Sequence, residues 1–261
     1  MSQTGVVFLM YHELQPSGGE LTQAEAGYVR YVVRLPDFRS QMELLKREGW
    51  KGVSVSDAVN SFAERTVAIT FDDGCETDLI YAAPTLLDLK FNGSFYLTTG
   101  FLGKNGYLSH SQARELSGLG FEIGCHSMNH LYLTDLGEKD LHREVEEAKV
   151  QLEQIIGKAV RHFSCPGGRH NRRVSTAARE AGYETVATSR VATNSNTSDR
   201  MALCRVAIMR STSLASFERL CNGQHLWRMQ LEVQLRNASK KLLGNSVYDH
   251  LRSVLLRDST S

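Results

Sequence analysis

Thr66 to Phe71 is a short run of β-branched, aliphatic and aromatic residues that stops abruptly at Asp72-Asp73-Gly74. An apolar run without polar alternation suits a strand buried on both faces, as in a parallel sheet. Asp and Gly directly after it suit a turn at the strand's carboxyl end. A second strand candidate, Phe121-Glu122-Ile123, leads into Gly124-Cys125-His126-Ser127-Met128-Asn129-His130, with its two histidines one helical turn apart. In α/β folds, the carboxyl ends of strands are where ligand and catalytic groups collect. Two imidazoles and one carboxylate make a three-ligand set for a zinc-like ion, with a coordination position left open. A second carboxylate beside them can take a proton from water, and the combination describes a metal-assisted hydrolase. Alone, an acidic turn or a pair of histidines is ordinary. Their matching placement at two strand ends is not.

Strands and helices alternate along the chain. Val6 to Met10 reads as a first strand and Gln15 to Gly27 as a polar loop on the active-site side. Phe38, Met42, Leu44 and Leu45 give Leu35 to Glu48 a helical spacing, closed by Gly49. Lys51 to Val55 predicts a strand, with Ser56 capping the next helix. Asp78 to Leu89 predicts a helix, Gly93 to Leu97 a strand, and Ser109 caps a helix ending near Gly118. Glu138 to Ile156 is a charged amphipathic helix ended by Gly157. Arg161 to Phe163 and Tyr183 to Ala187 are strand candidates around a helix from Arg173 to Ala181. This alternation predicts parallel βαβ units. From Ser213 the pattern is helical only, which divides the chain into a unit over 1–212 and a helical extension over 213–261. Leu251, Val254, Leu255 and Leu256 would be exposed on a bare tail. The expectation is therefore helices packed on the first unit, on a protein partner or on a second copy.

The chain has 261 residues and a formal net charge of +1. That length accommodates one sizeable α/β domain with an appendage. No basic stripe interleaved with aromatics points to nucleic acid, and no apolar run reaches the length of a membrane span. Val6 to Met10 lacks a basic lead and a cleavage site, so it reads as a strand rather than a secretory signal. The five cysteines, Cys75, Cys125, Cys165, Cys204 and Cys221, are odd in number with no Cys-x-x-Cys spacing. They suit reduced thiols in a cytoplasmic protein. Cys75, Cys125 and Cys165 adjoin the motifs. A thiolate metal site is conceivable there, but small packing residues are the expectation.

At these motifs the chain resembles the polysaccharide deacetylases, the NodB-homology domain of carbohydrate esterase family 4. Thr70-Phe71-Asp72-Asp73-Gly74 and His126-Ser127-Met128-Asn129-His130 are similar to the family's first two motifs. Leu108 to Leu116 resembles the helix leading into the histidine motif, and Arg161 to Gly168 stands in the place of the third. Phe8 to Leu14 is similar to the first strand of the branch that acts in exopolysaccharide assembly. The resemblance spans Val6 to Arg210 and implies an irregular (β/α)7 barrel. It further implies one divalent metal ion, zinc first among them, and removal of N-acetyl groups from an N-acetylhexosamine polysaccharide or its precursor, releasing acetate. Asp72 is then the general base, and Asp73, His126 and His130 the metal ligands. Side-chain alternation at a strand end gives the same division between the aspartates. A backbone N–H of the third motif, that of Gly167, is the expected oxyanion donor.

The chain departs from the family in three places. Ser164 stands where relatives carry an arginine that orients the base, and Ala187 to Arg190 lacks the aspartate that pairs with it. Loss of both members of an ion pair is coherent, because a lone buried charge is costly. Val206 to Arg210 occupies the place of the histidine motif that supplies a general acid, and ends in arginine, a poor proton donor. The leaving amine therefore needs another donor. His12, at the end of the first strand, is the first candidate and His170 the second, since imidazole exchanges protons near neutral pH. His110, His142, His162, His225 and His250 read as structural or surface groups. Two other functions stay open: a non-catalytic saccharide-binding relative that kept the metal site, and an amidohydrolase acting on a small amide.

Overall fold

The structure is a computed structural model and describes residues 5–226 and 229–231. Its strands are β1 (Val7–Tyr11), β2 (Leu14–Gln15), β3 (Val33–Arg34), β4 (Lys51–Val53), β5 (Thr66–Phe71), β6 (Ser94–Leu97), β7 (Glu122–Cys125), β8 (His162–Ser164), β9 (Thr185–Ala187) and β10 (Val206–Ala207). Its α-helices are α1 (Ala26–Val29), α2 (Leu35–Arg47), α3 (Val55–Ser61), α4 (Ala83–Asp88), α5 (His110–Gly118), α6 (Glu138–His142), α7 (Ala148–Ile156), α8 (Arg172–Glu180) and α9 (Leu214–Cys221).

The main sheet runs β10-β1-β5-β6-β7-β8-β9, with every pairing parallel. On one edge of β5, β4 pairs with Thr66–Ala68 and β6 takes over at Thr70 and Phe71. Leu203 bridges Ala187 of β9, and Val206 pairs with Leu9 of β1. The segment from Leu203 to Ala207 therefore joins the two edges, and the sheet curls into an irregular (β/α)7 barrel. The short pair β2–β3 stands apart.

Alternation along the strands sorts side chains into two layers. Val6, Phe8, Ala68, Tyr96, Ala187 and Leu203 form the inner cluster, with Val55, Ala58 and Val59 of α3. Val7, Leu9, Tyr11, Ile69 and Phe71 face outward to the helices. There the ring of Phe38 on α2 lies 5.2 Å from Tyr11 and 5.8 Å from Phe71. Each fully buried residue of this kind contributes roughly 1.5–3 kcal/mol relative to exposure. On the inner parity, His12 follows Met10 and Asp72 follows Thr70, which register against each other.

At the amino ends of the strands, α3 acts as a floor. Its N-cap is Ser54, whose hydroxyl accepts the Asp57 N–H. Ser56, expected as the cap, instead meets His162 Nε2 at 2.7 Å. Glu122 accepts the Val55 and Ser56 N–H groups. The expected cap at Ser109 is present as a full capping box with Gln112. Two predicted helices are interrupted by π-helical turns, at Asp78–Ala82 and Arg143–Glu147. The helix α9, assigned from sequence to the extension, packs on α2 and buries Phe217, Leu220 and Cys221. Residues 232–261, including Leu251, Val254, Leu255 and Leu256, lie outside the described residues. Among those described, no helix is long and apolar enough to cross a membrane.

Candidate active site

Asp73, His126 and His130 come together at the carboxyl ends of β5 and β7. Asp73 Oδ1 lies 3.4 Å from His126 Nε2 and 3.3 Å from His130 Nε2. Ligand atoms about 2.1 Å from a tetrahedral ion stand about 3.4 Å from one another, so these spacings match the edges of such a site. Asp73 Oδ1 is buried and has no hydrogen-bond partner. An orphaned carboxylate oxygen facing two imidazole nitrogens is costly unless a cation lies among them. The donor set is therefore compatible with a divalent metal.

The histidine segment does not continue as helix. Ser127 and His130 adopt φ of 65° and 57°, and Ser127 Oγ accepts the His130 N–H at 3.0 Å. The π-turn of the helix beneath carries the buried Glu144. Its Oε2 accepts the Met128 and Asn129 N–H groups at 3.1 and 2.8 Å, and its Oε1 the Asn129 amide at 2.7 Å. A π-turn re-aims one side chain out of helical register, a device frequent at functional sites. Glu144→Gln replaces one acceptor oxygen with a donor and should loosen this loop. Metal affinity should drop about 10–100-fold while the circular dichroism spectrum holds, as read by titration against a competing chelator.

His126 is buried, and its Nδ1 donates to the Ser164 carbonyl at 2.9 Å, leaving Nε2 as the free acceptor. Burial first, and then the neighbouring His130 and Arg205, lower its pKa to about 4 against the pull of Asp72 and Asp73. The ring is thus neutral at pH 7, as a metal ligand must be. His130 packs against the Phe101 ring at 5.8 Å.

Simple alternation would turn Asp72 and Asp73 to opposite sides. Both reach the same imidazole instead, since Asp72 Oδ2 lies 3.9 Å from His126 Nε2. The φ of 78° at Asp73, strained for a residue with a side chain, brings its carboxylate round.

Arg205, which the sequence reading passed over, corrects the expectation that the orienting ion pair was lost. Its guanidinium is completely buried and donates to both Asp72 oxygens at 2.7 Å. It also donates to Ser164 Oγ at 2.7 Å, Thr70 Oγ1 at 3.2 Å and the Thr188 carbonyl at 3.1 Å. All five of its N–H groups are used. Ser164, where relatives have arginine, is an acceptor for an arginine delivered from the opposite edge of the barrel. Burial disfavours the ionised Asp72, but Arg205, aided by His126, outweighs it and holds the carboxyl below the usual range. One signal was available: Arg205 is a lone charge in Leu203-Cys204-Arg205-Val206-Ala207-Ile208, on the inner parity of β10.

His12 lies beside this pair, close enough to favour the ionised Asp72. Its ring sits 5.1 Å from that of Tyr31, and its Nδ1 is buried without a partner. His170 meets Ser175 Oγ at 2.6 Å in the loop before α8 and at its first turn. Gly167 follows β8, whose Ser164 holds His126, in a turn with φ of 61°. Cys75, Cys125 and Cys165 are buried outside the metal-ligand cluster, and none of the five cysteines forms a disulfide. Burial pushes the Cys125 and Cys165 thiols up to about 12, as inert packing groups. His162 is buried at the floor of the barrel, as read.

A parallel barrel with two carboxylates and two histidines gathered at its carboxyl face belongs to the α/β barrels whose chemistry sits at the strand ends. The polysaccharide deacetylase family model matches residues 60–186, and this part of the chain is a polysaccharide deacetylase domain. The peptidoglycan-N-acetylglucosamine deacetylase of Bacillus cereus is 36% identical over 127 residues, 47% of this chain and 56% of that protein. The Streptococcus pyogenes deacetylase PplD, solved in complex with acetate, superposes with a TM-score of 0.74 at 21% identity, covering 84% of this chain and 99% of that one. IcaB from Ammonifex degensii gives a TM-score of 0.71 at 22% identity, covering 84% and 97%. At these identities the two structures establish the fold.

Proposed function

We propose that this protein is a metal-dependent N-deacetylase that hydrolyses the acetamide of an N-acetylhexosamine unit in a polysaccharide or its precursor, releasing acetate. Zinc is the ion we favour for Asp73, His126 and His130, because two imidazoles and a carboxylate are a common zinc donor set. A bound divalent cation supplies Lewis acidity, polarising the amide carbonyl and making water a better nucleophile. Asp72 accepts the proton of the attacking water, its carboxylate lying beside the cluster with Oδ2 3.9 Å from His126 Nε2. Arg205 and Ser164 fix the plane of that carboxylate, and Oδ1, which takes one Arg205 donor, keeps a lone pair. The Gly167 N–H meets the developing oxyanion. His12 gives its proton to the departing amine.

The observation that carries this reading is the Asp72–Arg205 pair. A saccharide-binding relative has no use for a buried carboxylate held ionised beside the cluster but outside it. The peptidoglycan N-acetylglucosamine for which the Bacillus cereus relative is named, and the likeness of Phe8 to Leu14 to the exopolysaccharide branch, support a polymeric N-acetylated saccharide. The absence of disulfides supports a reducing compartment such as the cytoplasm.

The test is acetate release from N-acetylglucosamine oligomers. Release should disappear with chelator and return with one equivalent of a divalent ion. Chelator-insensitive release, or none from any acetylated amino sugar, would overturn the proposal. His12→Ala should lower turnover about 10²-fold, leave metal content unchanged and remove the alkaline limb of the pH–rate profile. Wild-type activity in that variant would mean that the donor is elsewhere.

A further inference from the structure

We infer that Leu131, Tyr132 and Arg169 form a subsite for the sugar unit next to the one that reacts, gripping its apolar C–H face and neighbouring hydroxyls. This rests on the deacetylase reading above. Leu131 and Tyr132 directly follow His130 and are 44% and 46% exposed. A single exposed apolar residue is normal. Two in succession on the rim of a polar site form a patch that a ligand can cover.

The Tyr132 ring is also held in place. The Arg169 guanidinium lies 3.7 Å from its centroid, and Arg169 is itself anchored by Asp135 at 3.1 Å. On another side, a Cβ added to Gly167 would come within 2.6 Å of Tyr132 Cε1. The turn assigned to the oxyanion therefore abuts the ring, and its glycine is required both by φ and by that contact.

A pyranose presents a C–H face and a rim of equatorial hydroxyls. An immobilised tyrosine covers the first, while its hydroxyl and the outer guanidinium donors meet the second. A ring already fixed loses little entropy on binding. Because Asp135 balances Arg169, the subsite has no net charge and suits a neutral amino sugar rather than a uronate.

Wild type, Tyr132→Ala and Tyr132→Phe are compared on N-acetylglucosamine and its oligomers, from monosaccharide to pentamer. Tyr132→Ala should raise KM about tenfold more for the dimer and the pentamer than for the monosaccharide. Tyr132→Phe, which keeps the ring and loses only the hydroxyl contact, should show a smaller rise than Tyr132→Ala. Pentamer affinity, measured by NMR titration of each protein, should fall in step with KM. A loss equal at every length, or no loss, with an active wild type would remove the subsite and spare the deacetylase reading. An inactive wild type whose pentamer binding still depends on Tyr132 would keep the subsite and remove the hydrolase. Neither turnover nor binding by wild type would remove both.

Discussion

Asp72→Asn should retain stoichiometric metal and lose acetate release by a factor on the order of 10²–10⁴. The amide nearly matches the carboxylate in shape but takes no proton from water. Metal should stay because the ligand cluster of Asp73, His126 and His130 does not include residue 72. The same change leaves the Arg205 guanidinium buried opposite a neutral group, and an amide N–H₂ facing one of its donors. Stability should therefore drop as well, by about 3–5 kcal/mol, the usual cost of breaking a buried pair from one side. Activity is best measured well below the melting temperature, with the folded fraction checked by circular dichroism. Wild-type turnover in the folded variant would assign the base to another residue. Loss of metal would exchange the roles of the two aspartates.

Most strands and helices were legible because each carries its own signal. Thr66–Phe71 is uniformly apolar, Phe38, Met42 and Leu45 repeat at helical spacing, and Ser109 caps as its position predicts. The cluster of Asp73, His126 and His130 was legible because its ligands lie in two short motifs at strand ends. What escaped depends on groups far apart in sequence. Arg205 meets Asp72 only because the segment after Leu203 closes the barrel beside β1. A search for an arginine at position 164 could not find one arriving from the other edge. The π-turn at Arg143–Glu147 escaped for a related reason, since a helix reads the same from its apolar spacing whether or not one residue is inserted. That residue decides whether Glu144 reaches the histidine loop. Ser56 is a capping type two positions too late, since Ser54 takes the cap, and tertiary contact with His162 claims it.

Arg205→Ser should be nearly as damaging as loss of the base, by a different route. With its partner gone, Asp72 keeps its burial and loses the charge that offsets it. In the wild type, the folded pKa of Asp72 lies below its unfolded value. Its stabilising contribution is thus present above the unfolded pKa and fades only as pH falls through that depressed value. In Arg205→Ser the folded pKa moves above the unfolded one, so the penalty is full at neutral pH and shrinks on acidification. The melting temperature should fall on the order of 10 °C at pH 7, and the gap should narrow toward pH 4. A gap that widens instead would mean that Asp72 is not the group left unpaired. The exchange Ser164→Arg with Arg205→Ser then isolates orientation from charge, because it returns a guanidinium to the position that relatives use. If Arg205 acts by holding Asp72, the double exchange should recover stability and at least a tenth of wild-type turnover, where either single change has little. Recovery of stability without turnover would show that the direction from which the arginine approaches is itself part of how this base is set.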